Sequence, residues 1–126
     1  MALQSQAQSF IAEAAVLPYR AVKFGTTDGV VIQGTAAGDA VIGIADNLGQ
    51  ATAAARIDVY KSGPAEAEAG AAITRGALLM IDSSARVITA AAGAGANVSV
   101  VGRALASAGA AGEIIPIEIS LGSFQG

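Results

Sequence analysis

The 126-residue chain has no cysteine, no histidine and no tryptophan. Without cysteine there is neither a disulfide nor a thiolate nucleophile, which fits a reducing compartment. Without histidine the commonest general base and a favoured transition-metal ligand are both missing. Aromatic residues make up 4% of the chain although 53% of it is hydrophobic, so the apolar mass is Ala, Val and Ile. Burying a Val or Ile contributes about 1.5–3 kcal/mol and Ala much less. A core this poor in bulky anchors predicts that neighbouring subunits supply part of the stability, through closed cyclic association.

Positive charge is also scarce. Seven Lys and Arg stand against ten Asp and Glu, for a net charge of −3, and the basic residues never form a run. Phosphate backbones demand concentrated positive charge, so the composition argues against direct binding of nucleic acid. Scattered Gly, Asn and charged residues break every apolar stretch well before the roughly 18 residues that a membrane-spanning helix needs. The opening M-A-L-Q-S-Q-A-Q-S-F-I-A-E lacks a positive n-region and a continuous apolar h-region, so no secretory signal is expected. The expectation is a soluble chain that stays in the cell that makes it.

What is present is a series of short β-branched runs punctuated by turn residues, the pattern of a small antiparallel β-barrel or sandwich. Strands are predicted over residues 19–24, 30–32, 40–45, 56–61, at Ile73 and then, past a kink at Gly76, over 77–81, and over 86–89, 98–104 and 114–119. Thr27-Asp28-Gly29 reads as a hairpin turn, Asp82-Ser83-Ser84 as another, and Ser62-Gly63-Pro64 as the end of the 56–61 strand. Residues 51–55 are ambiguous because three alanines together favour helix. Residues 65–69 read as a surface loop or a single helical turn, 90–96 as an Ala/Gly loop, and 121–126 as a tail.

Residues 1–17 stand apart as an N-terminal arm before a single β domain over 18–126. They are rich in Gln and Ser and free of Gly, with isolated apolar points, and Pro18 pushes Leu17 away from helix. Leu3, Phe10, Ile11, Leu17 and Tyr19 are the candidate partner contacts. An internal two-fold repeat is also legible. Val41-Ile42-Gly43-Ile44-Ala45 answers Val100-Val101-Gly102-Arg103-Ala104, and Val30-Val31-Ile32 answers Arg86-Val87-Ile88.

Candidate chemistry is thin. Glu66 with Glu68, and Glu113 with Glu118, are the only suggestive carboxylate pairs, and each reads as surface acids. Asp82-Ser83-Ser84 lacks the other oxygen ligands of a Ca²⁺ loop. Gly93-Ala94-Gly95 begins a dinucleotide fingerprint, but Val98 stands where its third Gly belongs and no helix pattern follows. Asn97-Val98-Ser99 is a glycosylation sequon without a signal peptide. Lys61 invites comparison with a lipoyl or biotinyl lysine, yet lacks the Met or acidic flanks of such a hairpin tip. No catalytic residue, cofactor or metal is predicted.

Two stretches carry a family resemblance. Ala69-Gly70-Ala71-Ala72-Ile73-Thr74-Arg75-Gly76-Ala77-Leu78-Leu79, followed by Asp82-Ser83-Ser84-Ala85-Arg86-Val87, resembles the head decoration or capsid cement proteins of tailed bacteriophages. So does Val101-Gly102-Arg103-Ala104-Leu105-Ala106 followed by Ala111-Gly112-Glu113-Ile114-Ile115. Ala85 replaces the usual turn glycine, and Pro116 interrupts the last strand in the manner of an edge device. The resemblance spans residues 19–120, and its motifs are structural. It implies a non-enzymatic virion protein on the outer capsid surface, made in the cytoplasm of the bacterial host. There, as a homotrimer, it clamps neighbouring major capsid subunits. A tail-tube or fibre module is the alternative, and a hairpin cofactor carrier a more distant one.

Overall fold

The computed structural model describes residues 6–91 and 97–125, with side chains for 7–91 and 98–122. These residues form nine strands and no helix: β1 (Gln6–Ala12), β2 (Ala21–Phe24), β3 (Val30–Gln33), β4 (Val41–Ala45), β5 (Arg56–Glu68), β6 (Leu78–Ile81), β7 (Val87–Thr89), β8 (Asn97–Ala104) and β9 (Ile114–Gln125). The all-β expectation holds.

Strands β1 to β4 and the first half of β5 close a five-stranded barrel. β1 runs parallel to β3, with Ile11 opposite Val30; β3 pairs antiparallel with β2, β2 with β4 and β4 with β5. The ring closes where β5 returns antiparallel to β1, with Phe10 opposite Ile57. The second half of β5 then begins the same circuit again. It pairs with β9, β9 with β8, β8 with β6 and β6 with β7, and Ala69 bridges Val87 in parallel to complete the ring.

The repeat extends to individual hydrogen bonds. Ala12 N donates to Ala55 O at 2.9 Å, and Ala69 N to Glu113 O at 2.8 Å. Val16 and Gln50 exchange both backbone bonds, as do Ile73 and Ala108. Three turn positions with left-handed backbone also recur: Tyr19 with Gly76, Gly29 with Ala85, and Ala54 with Gly112. The two-fold repeat is therefore two barrels that share β5.

Two buried clusters fill the fold. Phe10, Ala12, Val16, Val22, Val31, Ala45, Ile57 and Val59 fill the first barrel. The larger cluster fills the second barrel with Leu79, Ile81, Val87, Val101, Ile115, Ile117 and Ile119, and reaches back to Ala21, Val41 and Ile44. Thus β2 and β4 bury both faces, one into their own barrel and one against the other. This is why 40–45 reads as a continuous apolar run rather than an alternation.

Four expectations are corrected. The segment set apart as an arm is, from Gln6 to Ala12, a barrel strand. Only Phe10 and Ala12 of its described side chains point inward, while Ala7, Gln8, Ser9 and Ile11 face solvent, so the apolar signal is sparse. The 56–61 strand does not stop at Ser62-Gly63-Pro64. Gly63 takes φ 80° inside β5, at the crossing from one barrel to the next, and residues 65–68 continue the strand instead of forming a loop or helical turn. The expected tail is, to Gln125, the far end of β9. Residues 51–55, where helix competed, are turns and bends up to the start of β5. Of the Ala/Gly loop, residues 92–96 lie outside the described residues.

Candidate functional site

The candidate contact residues do not gather into one patch. Leu3 lies outside the described residues. Phe10 is 7% exposed and its ring meets that of Phe24 edge-on, with centroids 6.2 Å apart. Its ring is used inside the barrel and is not open to a partner in this fold. Ile11 and Leu17 are exposed, the latter with its backbone N–H donating to Gln33 Oε1 at 3.0 Å. Tyr19 lies elsewhere, in the floor of a surface cleft.

That cleft, of about 470 Å³, opens where β5 passes from one barrel to the other. Tyr19 and Tyr60 bring two rings to it, Pro64 and Pro116 two rigid apolar walls, and Asp46 and Glu66 two carboxylates. Glu66 stands opposite Pro116 in the β5–β9 ladder. Asp46 Oδ1 accepts the N–H groups of Leu48 and Gly49, each at 3.0 Å, which fixes its orientation. Tyr19 holds φ 63°, a conformation that costs an L-residue about 1–2 kcal/mol, whereas its counterpart in the second barrel is Gly76.

Several other charged groups tie turns and strands together. Glu68 Oε2 lies 3.1 Å from Arg20 and 3.7 Å from Arg86, and Arg86 Nε lies 3.4 Å from Asp82 Oδ2. Arg20 Nη1 donates to Ser84 O at 2.9 Å, which ties the start of β2 to a turn of the second barrel. Asp82 Oδ1 accepts from Ser84 N at 2.8 Å and Arg86 N at 3.0 Å, so Asp82-Ser83-Ser84 is a turn. Glu113 Oε2 accepts from Gly109 N at 2.9 Å, and Lys61 donates to Gln8 Oε1 at 2.8 Å from the middle of β5, not from a hairpin tip. Among the described residues no group of three or more Asp or Glu gathers in a way that could hold a metal ion.

Two carboxylates hold their protons weakly. Backbone and hydroxyl bonds from Thr26, at 2.8 and 2.7 Å, keep Glu13 below the usual carboxylate range. Partial burial pushes Asp39 upward. That push is outweighed by bonds from Thr35 N at 2.8 Å, Lys23 at 3.0 Å and Ala36 N at 3.0 Å, so its carboxyl also lies low. Both acids pin loops at barrel ends.

Two fused barrels, with several ion pairs committed to turns and to the join between halves, define an all-β structural module. The chain matches the model of the phage cement protein family over residues 4–119, and it belongs to that family. It is thereby a capsid-stabilising structural protein of the virion. Among solved structures it is similar to the head fiber gp8.5 N base of bacteriophage phi29. The TM-score is 0.67 at 15% identity, over 93% of this chain and 95% of that one. At that identity the likeness is one of fold. A search of curated proteins finds no match.

The sequence singled out Tyr19 but missed its companions. In the sequence Glu66 reads as a plain surface acid, and Tyr60 only as a position in an alternating strand. Nothing in the local pattern shows that β5 continues through Pro64, and that continuation is what brings the cleft together.

Proposed function

We propose that the protein binds the outer face of a phage capsid as a homotrimer and fastens neighbouring major capsid subunits to one another. The family match over residues 4–119, which takes in both barrels, carries this reading. The distribution of exposed apolar side chains supports it. The first half leaves Ile11, Leu17, Phe24 and Leu48 open to solvent, and the second half Leu78, Leu105, Ile114 and Leu121. Each barrel thus has its own apolar points with which to touch a different neighbour or a second copy. Ile11, Leu17 and Tyr19 belong to the proposed contact set, and Phe10 acts by holding β1 in place.

The test is to image particles with and without the protein and to follow their heat-induced DNA release. Trimeric density between capsid subunits, with release at higher temperature when the protein is bound, is the expected outcome. Bare shells after add-back, or unchanged release, would refute it. The phi29 neighbour favours a second reading, the base of a head fibre. In the same images that reading predicts projections rising from the shell rather than low density bridging its subunits.

A further inference from the structure

We propose that the cleft formed by Tyr19, Tyr60, Asp46 and Glu66 receives an arginine or lysine side chain on an extended segment of the capsid protein. The inference rests on the capsid-binding reading above and names the surface that would do the binding.

The chemistry of the cleft selects a cation. Two tyrosines line it, Tyr60 also packing against the larger core, and a guanidinium or ammonium over a tyrosine face is attracted by the ring quadrupole. Only Oδ1 of Asp46 is occupied, by backbone N–H groups, and the exposed Glu66 carboxylate has no hydrogen bond or ion pair among the described residues. No Lys or Arg lines the cleft. Its negative charge is therefore uncompensated from within, and its volume of about 470 Å³ exceeds what one side chain needs, leaving room for flanking backbone along Pro64 and Pro116.

Five of the seven cations have partners within the chain: Arg20, Lys23 and Arg86 in ion pairs, Lys61 with Gln8, and Arg103 with Gly76 O at 2.7 Å. Only Arg56 and Arg75, both exposed, are left for a second copy to offer. With a net charge of −3, the complementary charge comes most simply from another protein.

The repeat bears on the role of Tyr19. At the position of Tyr19 the second barrel has Gly76, the residue that fits a left-handed backbone without strain. Closure of such a turn does not itself call for a tyrosine, and a cation in the cleft gives the ring a use.

The chain has two tyrosines and no tryptophan, and both tyrosines lie in the cleft. Nitration by tetranitromethane, read by mass spectrometry, therefore reports on this site alone within the chain. Purified shells lacking the protein are the probe, with wild type, Tyr19→Gly and Glu66→Lys compared for binding, melting temperature and self-association. Both variants should fold and self-associate as wild type does, yet bind shells at least about tenfold more weakly. Tyr19 and Tyr60 of bound wild type should resist nitration relative to the free protein. Glu66 is exposed, so Glu66→Lys keeps the test decisive even if Tyr19→Gly folds poorly.

Variant binding within about twofold of wild type, or equal nitration in bound and free protein, overturns the proposal. Loss of self-association instead of shell binding would make the occupant a second copy, which also overturns it. Failure of wild type to bind shells would fell the capsid-binding reading itself, and is told apart because it appears before any variant is compared.

Discussion

Gly43 and Gly102 hold the same place in the two barrels. At each, a Cβ would collide with the carbonyl oxygen of the facing strand, that of Tyr60 for Gly43 and that of Glu118 for Gly102. Each lies beside a register shift in its ladder, in β2–β4 and in β8–β9. The glycines let a bulged strand close onto its neighbour.

Replacing either glycine with alanine should therefore force the backbone to move. Gly43→Ala and Gly102→Ala are each expected to lose about 1–3 kcal/mol or more of stability in chemical denaturation. Gly122→Ala, where an added methyl meets nothing within 4 Å, is the matched control and should change little.

Phe10→Ala should destabilise the protein by about 3–5 kcal/mol, because it removes the one aromatic ring from the first barrel's buried cluster. For the same reason, deletion of residues 1–16 should open that barrel and expose it to proteolysis. Thermal melts and limited digestion check both outcomes. A truncated chain that melts like the full one would show that β1 contributes nothing to closure.

The paired left-handed turns give a prediction of opposite sign. Ala54 is exposed at φ 66° where the other barrel has Gly112, so Ala54→Gly should stabilise by about 0.5–1 kcal/mol. Ala85 adopts φ 63°, but its methyl is fully buried in the larger core. Ala85→Gly relieves the same strain while losing a buried methyl, worth about 0.8 kcal/mol, and should come out near zero or slightly unfavourable. Denaturation midpoints of the two variants check the contrast.

Acid should loosen the loops first. The folded protein holds Asp39 and Glu13 below their ordinary values, so the unfolded chain takes up protons more readily than the folded one. Their contribution is fully present above about pH 4–4.5 and is lost as pH falls through the lower folded values. Melting temperature should fall across that window, and Asp39→Asn should remove part of the dependence. An identical acid profile for Asp39→Asn would show that the Asp39 bonds contribute nothing.

The sequence was most legible where one face of a strand is buried. Ile57 and Val59 alternate with Arg56, Asp58 and Tyr60, and Ile115, Ile117 and Ile119 with Pro116 and Glu118. The repeat was visible because Gly43 and Gly102 sit inside matching apolar runs. β1 escaped notice because its outward residues are polar or small, and a strand that closes a barrel needs only two inward side chains. The crossing at Gly63-Pro64 escaped because a turn and a strand that changes barrels use the same residues. Local pattern cannot separate them, since the difference is which strand lies alongside. The cleft depends on that crossing, so of its residues only Tyr19 was singled out beforehand.

Because β5 belongs to both barrels, the molecule has no linker at which to part. A force drawing the barrels away from each other runs along a single continuous backbone. It loads the ladders of β5 with β1 and with β9 lengthwise, so that many bonds resist at once instead of peeling one by one. Under tension the two halves should yield together, as one mechanical element.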